Sequence, residues 1–544
     1  MDFQRLFLFL IFSFSVFLLW DGWQRAQNPV VQTAPAGTSV ASAPVATTIE
    51  VGKPVANAVA AQQKNLAGNK ITVKTDRFVA EISTVGGDLR RMEFLQHYAA
   101  NDRNKPFVLL QEQGAHIYIA QTGLLGPGMP THNSIFTAEA SDYQLAEGKD
   151  TLEVRLSATD VAGARVSKVY IFHRGSYLVD VGYEIENNGN SPLLSSAYFQ
   201  LVRDTSSPEG GSQFVPTYTG PAVFTEQEKF QKVDFSDIEK GKVKYPQSAD
   251  NGWVGMLQHY FVAAWLPKDK VQREIYTKRL EGNLYSVGVI LPVGGIAPGQ
   301  STKISVPLYA GPAQTSLDKI APGLGLTVDY GWLTIISSPL FWVLSFLQGW
   351  VHNWGVAIIL LTVLIKLAFF PLSAASYHSM AKMRVVAPKL EKIKQQYGDD
   401  KERLHKAMME LYKTEKINPV GGCLPMLIQI PVFIALYWAI LASVELRYAP
   451  FFGWITDLSA ADPYYVLPLI MGASMIIQTK LNPTPPDPLQ AKLMQIMPIV
   501  FSIVFFFFPA GLVLYSIVNN VLSIAQQWYI TRNLEAGSKG AAKA

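Results

Sequence analysis

Cysteine is almost missing from this chain, with Cys423 alone among 544 residues. An intramolecular disulfide is therefore impossible in any redox compartment. Charge is scarce too: 16% of residues are charged, against roughly a quarter in an ordinary soluble protein. The formal net charge of +4 gives no general pull toward nucleic acid, and no specific nucleic-acid partner is expected. The eight histidines have no metal-ligand spacing, and no H-E-x-x-H occurs. A G-x-x-x-x-G-K-[ST] phosphate loop is also absent: the Gly-Lys pairs beginning at 52, 148 and 241 run into Pro54, Asp150 and Val243. Nucleotide hydrolysis and metal catalysis are thereby excluded, and the chain is read as a non-enzyme without a cofactor.

What the chain does have is apolar residues, 49% of the total, concentrated near the N-terminus and after Gly331. Residues 3–20 are an apolar run with Arg5 near its start. Asp21-Gly22-Trp23-Gln24-Arg25 follows without a small-x-small cleavage pattern, so residues 1–23 are expected to be an uncleaved membrane anchor. Residues 24–69, rich in Ala, Pro, Val, Thr, Ser and Gln, bury too little to offset their ordering entropy and read as an extended tether. From 70 to 330 the pattern has period two, as in Ile71-Thr72-Val73-Lys74-Thr75 and Leu152-Glu153-Val154-Arg155-Leu156, with turn signals such as Asn187-Asn188-Gly189-Asn190. Many short alternating strands predict one large β-sandwich.

Beyond it, residues 331–352 read as an interfacial amphipathic helix, opened by Ser338 as cap and Pro339 at its first position. Ser345, Gln348 and His352 share one face, and at roughly 14 residues it is too short to span a bilayer. Apolar stretches follow at 355–376, 422–443, 464–479, 494–508 and 511–530. The expected fold is mixed: an α-helical polytopic membrane bundle of six spans, five forming the core, plus the β-sandwich. Its parts are a second span at 353–376, a basic helical hairpin at 377–420, spans three to six at 421–531 and a tail at 532–544. Loop 377–420 carries Lys382, Arg384, Lys389, Lys392, Lys394, Lys401, Arg403, Lys406, Lys413 and Lys416, whereas loop 444–463 has only Arg447. The basic loop should be cytoplasmic, which puts both termini inside and the β-domain outside. Met383, Val386, Leu390, Ile393 and Tyr397, then Leu404, Met408 and Leu411, give that loop a coiled-coil seam, with Pro388 expected to kink or restart its first arm.

Within this apolar half Lys366 stands out. Read as mid-span, it lies ~15 Å from either end at ~1.5 Å per residue, too deep for its stem to reach the headgroups. Such a lysine normally faces a bundle interior or a watery cavity, and no Asp or Glu in another span is there to pair with it. Thr362 and Ser373 share its stripe, while Gln429, Tyr515, Ser516, Asn519 and Asn520 are candidate walls of a hydrophilic groove. The apolar stretches 464–479 and 494–508 are short and Pro425, Pro431, Pro468 and Pro498 interrupt the set, a composition that favours locally thinned lipid. Lys382, Arg384, Lys389, Lys392, Lys394, Arg403 and Lys406 are candidate docking charges on the hairpin.

Asn418-Pro419-Val420-Gly421-Gly422-Cys423-Leu424-Pro425-Met426-Leu427-Ile428-Gln429-Ile430-Pro431 strongly resembles the signature of the YidC membrane insertase family. So do Thr327-Val328-Asp329-Tyr330-Gly331-Trp332, Asn353-Trp354-Gly355, Asp462-Pro463-Tyr464-Tyr465 and Gly511-Leu512-Val513-Leu514-Tyr515. The resemblance covers essentially the whole chain and is to the Gram-negative form. It implies an insertase and chaperone of the bacterial inner membrane, acting alone or beside the Sec translocon on nascent membrane-protein clients; membrane lipids are a further expected partner, and the hairpin's basic face either is solvated and sets topology or docks a nascent chain, ribosome or targeting factor. It also implies a groove open to cytoplasm and lipid, with a positive charge at position 366; family members commonly place Arg there, and this chain has Lys. The β-domain is similar to the sandwich of sugar mutarotases. Two rivals stand against this reading. A channel or secondary transporter would show inverted repeats and several intramembrane ionisable groups, and an anchored sugar enzyme would leave the later spans unexplained.

Overall fold

The computed structural model describes residues 68–541 apart from 100–101, 115, 159–160, 162, 209–216, 399, 416–423 and 483–487. The expected anchor, nearly all of the tether and the motif residues Asn418 to Cys423 lie outside the described residues.

Period-two patterning becomes two facing sheets. In strand Lys70–Lys74, Ile71 and Val73 are buried between exposed Lys70 and Lys74, because alternate side chains leave a strand on opposite faces. It pairs antiparallel with Phe78–Ser83, Val73 opposite Ala80. Among the described residues one sheet has ten strands and the other nine, with Phe78, Phe94, Val181, Phe199, Met256 and Val306 in the shared core. The expected β-sandwich is present.

Three short 3-10 turns, ending at Gly331–Leu333, lead into the helical half. Helix α1 is Thr334–Val351, α2 Trp354–Ala368, α3 Phe370–Tyr397 and α4 Lys401–Thr414. Then come α5 Leu424–Ala442, α6 Val466–Leu481, α7 Pro488–Phe505 and α8 Ala510–Ala541. The family-like motifs are local fastenings. Asn353 caps α2 by accepting from Val356 N at 3.0 Å, and its amide donates to Phe451 O at 3.2 Å. Asp462, buried, accepts from Leu467 N at 2.7 Å and from Tyr464 N and Trp454 Nε1 at 3.0 Å, tying down the start of α6.

Several boundaries differ from expectation. Helix α1 begins at Thr334 and contains Pro339 in its interior, so it has 18 residues. Among the described residues it is the one helix long and apolar enough to cross a membrane unaided. The stretch 355–376 is not one straight span: α2 and the first part of α3 meet at 67°. Pro371 explains the break, since it has no N–H to offer Leu367 O and its ring cannot continue α2. Pro388, by contrast, sits inside an unbroken α3. The hairpin seam forms as Val386, Leu390 and Tyr412, with Met383, Met408 and Leu411 against them. Helix α7 starts before 494, and α8 runs on through the expected tail. Leu469, Ile477, Ile499 and Ile503 on α6 and α7 face outward, an apolar exposure that suits lipid rather than water.

The β-sandwich grips the segment after α5. Arg447 lies 5.5 Å from the Phe107 ring, 5.3 Å from Tyr260, 5.8 Å from Phe261 and 5.5 Å from Tyr448. Arg103 stacks 4.6 Å over Tyr448, whose hydroxyl donates to Ala99 O. Two ionisable groups at this junction oppose each other in pH dependence. Burial, then Arg447 and Arg77, lowers the His97 pKa to about 4. Burial raises that of Glu445 to about 7. The His97 contribution is complete above pH 6.5 and is lost as pH falls through 4. The Glu445 contribution is complete below pH 4.5 and is lost as pH rises through 7. The two slopes cancel in part over the shared window. We expect His97→Gln to flatten the acid side of a thermal-midpoint profile and Glu445→Gln the neutral side, each by roughly 1–3 kcal/mol across its range. Superimposable profiles for wild type and both variants would show that neither group titrates differently in the folded state.

Candidate functional site

Four helices converge on Lys366. It belongs to the last turn of α2, beside the break at Phe369, and so is not midway along a straight span. Pro371 thus does two things: it ends α2 and turns α3 away, leaving room beside the ammonium. A pocket open on one side results, walled by Ile365, Lys366, Phe369, Leu372, Ser373, Ile428, Gln429, Val432, Tyr515 and Asn519. The walls are mainly apolar. The polar groups converge, because Gln429 Nε2 donates to Tyr515 OH at 3.1 Å and Lys366 Nζ donates to Ser523 Oγ at 2.6 Å.

Of the residues expected in the groove, Lys366, Ser373, Gln429, Tyr515 and Asn519 line this pocket. Thr362 and Ser516 do not. Both are buried, and their hydroxyls donate to Ile358 O at 2.7 Å and Leu512 O at 2.9 Å on their own helices. Sharing a helical stripe does not decide where a hydroxyl points, and back-bonding to residue i−4 competes with any outward role. Asn520 faces α6, donating to Ser474 Oγ at 3.0 Å. The residue that inspection of the sequence misses is Ser523. Its signal was present: Tyr515, Asn519 and Ser523 recur every four residues and so share one face of α8.

On the hairpin, Lys382 and Lys392 are exposed. Three other candidate docking charges have carboxylate partners: Lys389 with Glu415 at 2.6 Å, Arg403 with Asp400 at 3.2 Å and Lys406 with Glu402 at 3.0 Å. Lys394 is exposed as well, and the Arg384 side chain lies outside the described residues.

Fold and site together define a helical membrane bundle, joined to a β-sandwich, with a lone cation in a largely apolar pocket. Residues 70–343 match the family described as YidC periplasmic domain, and residues 346–537 the family described as 60Kd inner membrane protein. The chain is 56% identical over 568 residues to the membrane protein insertase YidC of Nitrosospira multiformis, covering 100% of this chain and 99% of the relative. It is also 56% identical over 554 residues to that of Methylobacillus flagellatus, covering 100% of both. The chain belongs to the YidC family of inner-membrane protein insertases. Among solved structures, an active YidC insertase with its first transmembrane domain resolved is similar at 21% identity and TM-score 0.40, over 85% of this chain and 93% of that one. A galactose mutarotase related enzyme from Lactobacillus acidophilus is similar at 10% identity and TM-score 0.30, over 44% of this chain and 97% of that one.

Proposed function

We propose that this insertase receives hydrophobic client segments through the Lys366 pocket and releases them into the inner membrane. The observation that carries the reading is the pocket itself, a single ammonium set among Gln429, Tyr515 and Asn519 where α2 breaks off. A short polar or acidic client tail is held there briefly by the ammonium and the neighbouring amides and hydroxyls. The tail then passes outward, and the apolar segment moves into lipid, with burial worth roughly 25 cal/mol per Å². No chemical step in the chain is required. Both termini and the basic hairpin lie in the cytoplasm and the β-domain in the periplasm. This topology is supported by the contacts of Arg447 and Tyr448 with the sandwich, which keep the loop poor in Lys and Arg on the β-domain's side. The exposed Trp342, Phe346 and Trp350 of α1, whose rings adjoin one after the next, suit the outer membrane interface. Exposed Lys382, Lys392 and Lys394 of the hairpin receive the client from a ribosome or targeting factor. The protein also acts as a folding chaperone and beside the Sec translocon.

The test is reconstitution into liposomes with single-span clients. Loss of a charge-assisted hydrogen bond worth roughly 1.5–3 kcal/mol should slow insertion of an acidic-tailed client about tenfold or more in Lys366→Ala, and further in Lys366→Glu. Wild-type rates for both variants would remove the charge from the mechanism.

A further inference from the structure

Lys366 has a long, flexible stem, so something must keep its ammonium at the pocket rather than drifting along the open side of the bundle. The geometry points to Ser523 as the positioning residue. Its hydroxyl proton is committed to Asn519 O at 2.7 Å, which is back-bonding within α8 and fixes the side-chain rotamer. The oxygen therefore meets its other neighbours only as an acceptor. It accepts from Lys366 Nζ at 2.6 Å. A hydroxyl has one proton and two lone pairs; here the proton goes to α8 and a lone pair to the ammonium. Ser523 is buried, so water does not substitute for it freely.

Of the three N–H donors of an ammonium, one is taken by Ser523 and two remain for a client. The strut joins α2 to α8, and Asn519, whose carbonyl anchors it, also lines the pocket. Gln526 Nε2 reaches Phe370 O at 3.4 Å from the same helix, a second tie across the break. Alanine at 523 leaves the ammonium without its acceptor and free to swing. Threonine keeps both the oxygen and the back-bond. Ser523 thus sets where the positive charge stands and acts on clients only through Lys366. This inference rests on the Lys366 reading above, and the experiment separates the two.

Insertion of an acidic-tailed and a neutral-tailed client is measured for wild type, Ser523→Ala, Ser523→Thr, Lys366→Ala and the Ser523→Ala/Lys366→Ala double variant. The neutral client serves as the control for folding. Ser523→Ala is expected to slow the acidic client about fivefold relative to the neutral one, the scale of one hydrogen bond to a charged group. Ser523→Thr should restore the rate, and the double variant should be no slower than Lys366→Ala. Equal slowing of both clients, or losses that multiply in the double variant, would show a merely structural serine and overturn the inference. Should Lys366→Ala slow the acidic client while Ser523→Ala does not, positioning by Ser523 falls and the pocket reading stands. Should Lys366→Ala leave the acidic client untouched, the pocket reading falls first.

Discussion

Asp88→Ala is expected to destabilise the β-sandwich by roughly 3–5 kcal/mol, the usual penalty for stripping one partner from a buried ion pair. Asp88 and Lys168 are both 0% exposed, with Nζ 3.3 Å from Oδ1. The ammonium also donates to Gly86 O at 2.9 Å and lies 5.9 Å from the Phe136 ring, 5.7 Å from Tyr170 and 5.8 Å from Tyr183. Gly86 and Gly87 make this possible: both have positive φ, 74° and 60°, which glycine adopts without strain. The turn aims the Gly86 carbonyl at Lys168 and the Gly87 carbonyl at Tyr170 OH. Burial already pulls the Lys168 pKa down to about 8 against the opposing pull of Asp88. Without Asp88 the buried ammonium loses the charge that opposes its desolvation, a cost the fold must absorb. Asp88 Oδ2 has no hydrogen-bond partner among the described residues, so the pair is incompletely satisfied by them even when intact. Replacing both residues, as Asp88→Leu with Lys168→Met, should therefore recover most of the loss. Thermal unfolding of the full chain in detergent, followed by circular dichroism, checks this. An Asp88→Ala midpoint equal to wild type would show that the pair does not hold the sandwich.

Gly355→Ala should cost about 3 kcal/mol, the upper end of ordinary overpacking. A Cβ built on Gly355 would stand 2.0 Å from Phe451 Cδ2 and 2.6 Å from Cγ, so the ring must leave its place. Phe451 cannot move alone. Its carbonyl accepts from the Asn353 amide at 3.2 Å, and Asn353 is the cap of α2. Displacing the ring therefore disturbs the first turn of the helix whose last turn carries Lys366. Phe451→Leu is expected to be mild by itself and to relieve much of the Gly355→Ala loss, giving a favourable coupling in a double-mutant cycle. The readout is thermal unfolding in detergent or lipid nanodiscs. Additive losses would show that the two residues do not meet.

How much of this could be read from the chain differs by length scale. The β-sandwich was legible because alternation is local: Ile71 and Val73 turn inward wherever their strand pairs. The hairpin seam of Val386, Leu390 and Met408 was legible for the same reason, through its helical repeat. The isolation of Lys366 among apolar residues needed only counting. The bend at Phe369 is encoded by Pro371, yet hydropathy runs unbroken across 355–376 because it does not register a lost hydrogen bond. Tyr412 entered the seam unannounced, being aromatic and amphipathic enough for either face.

Hydropathy, periodicity and charge asymmetry thus defined the class of molecule, the order of its parts and the one cation worth asking about, since each depends on neighbours a few residues apart. Which acceptor that cation takes, which hydroxyls turn back on their own helices, and which carboxylate meets Lys168 inside the sandwich were decided by packing alone. Asp88 and Lys168 are 80 residues apart in the chain and Lys366 and Ser523 are 157 apart. A polar atom takes the partner that the fold sets at about 3 Å, and nothing local to either residue encodes that distance.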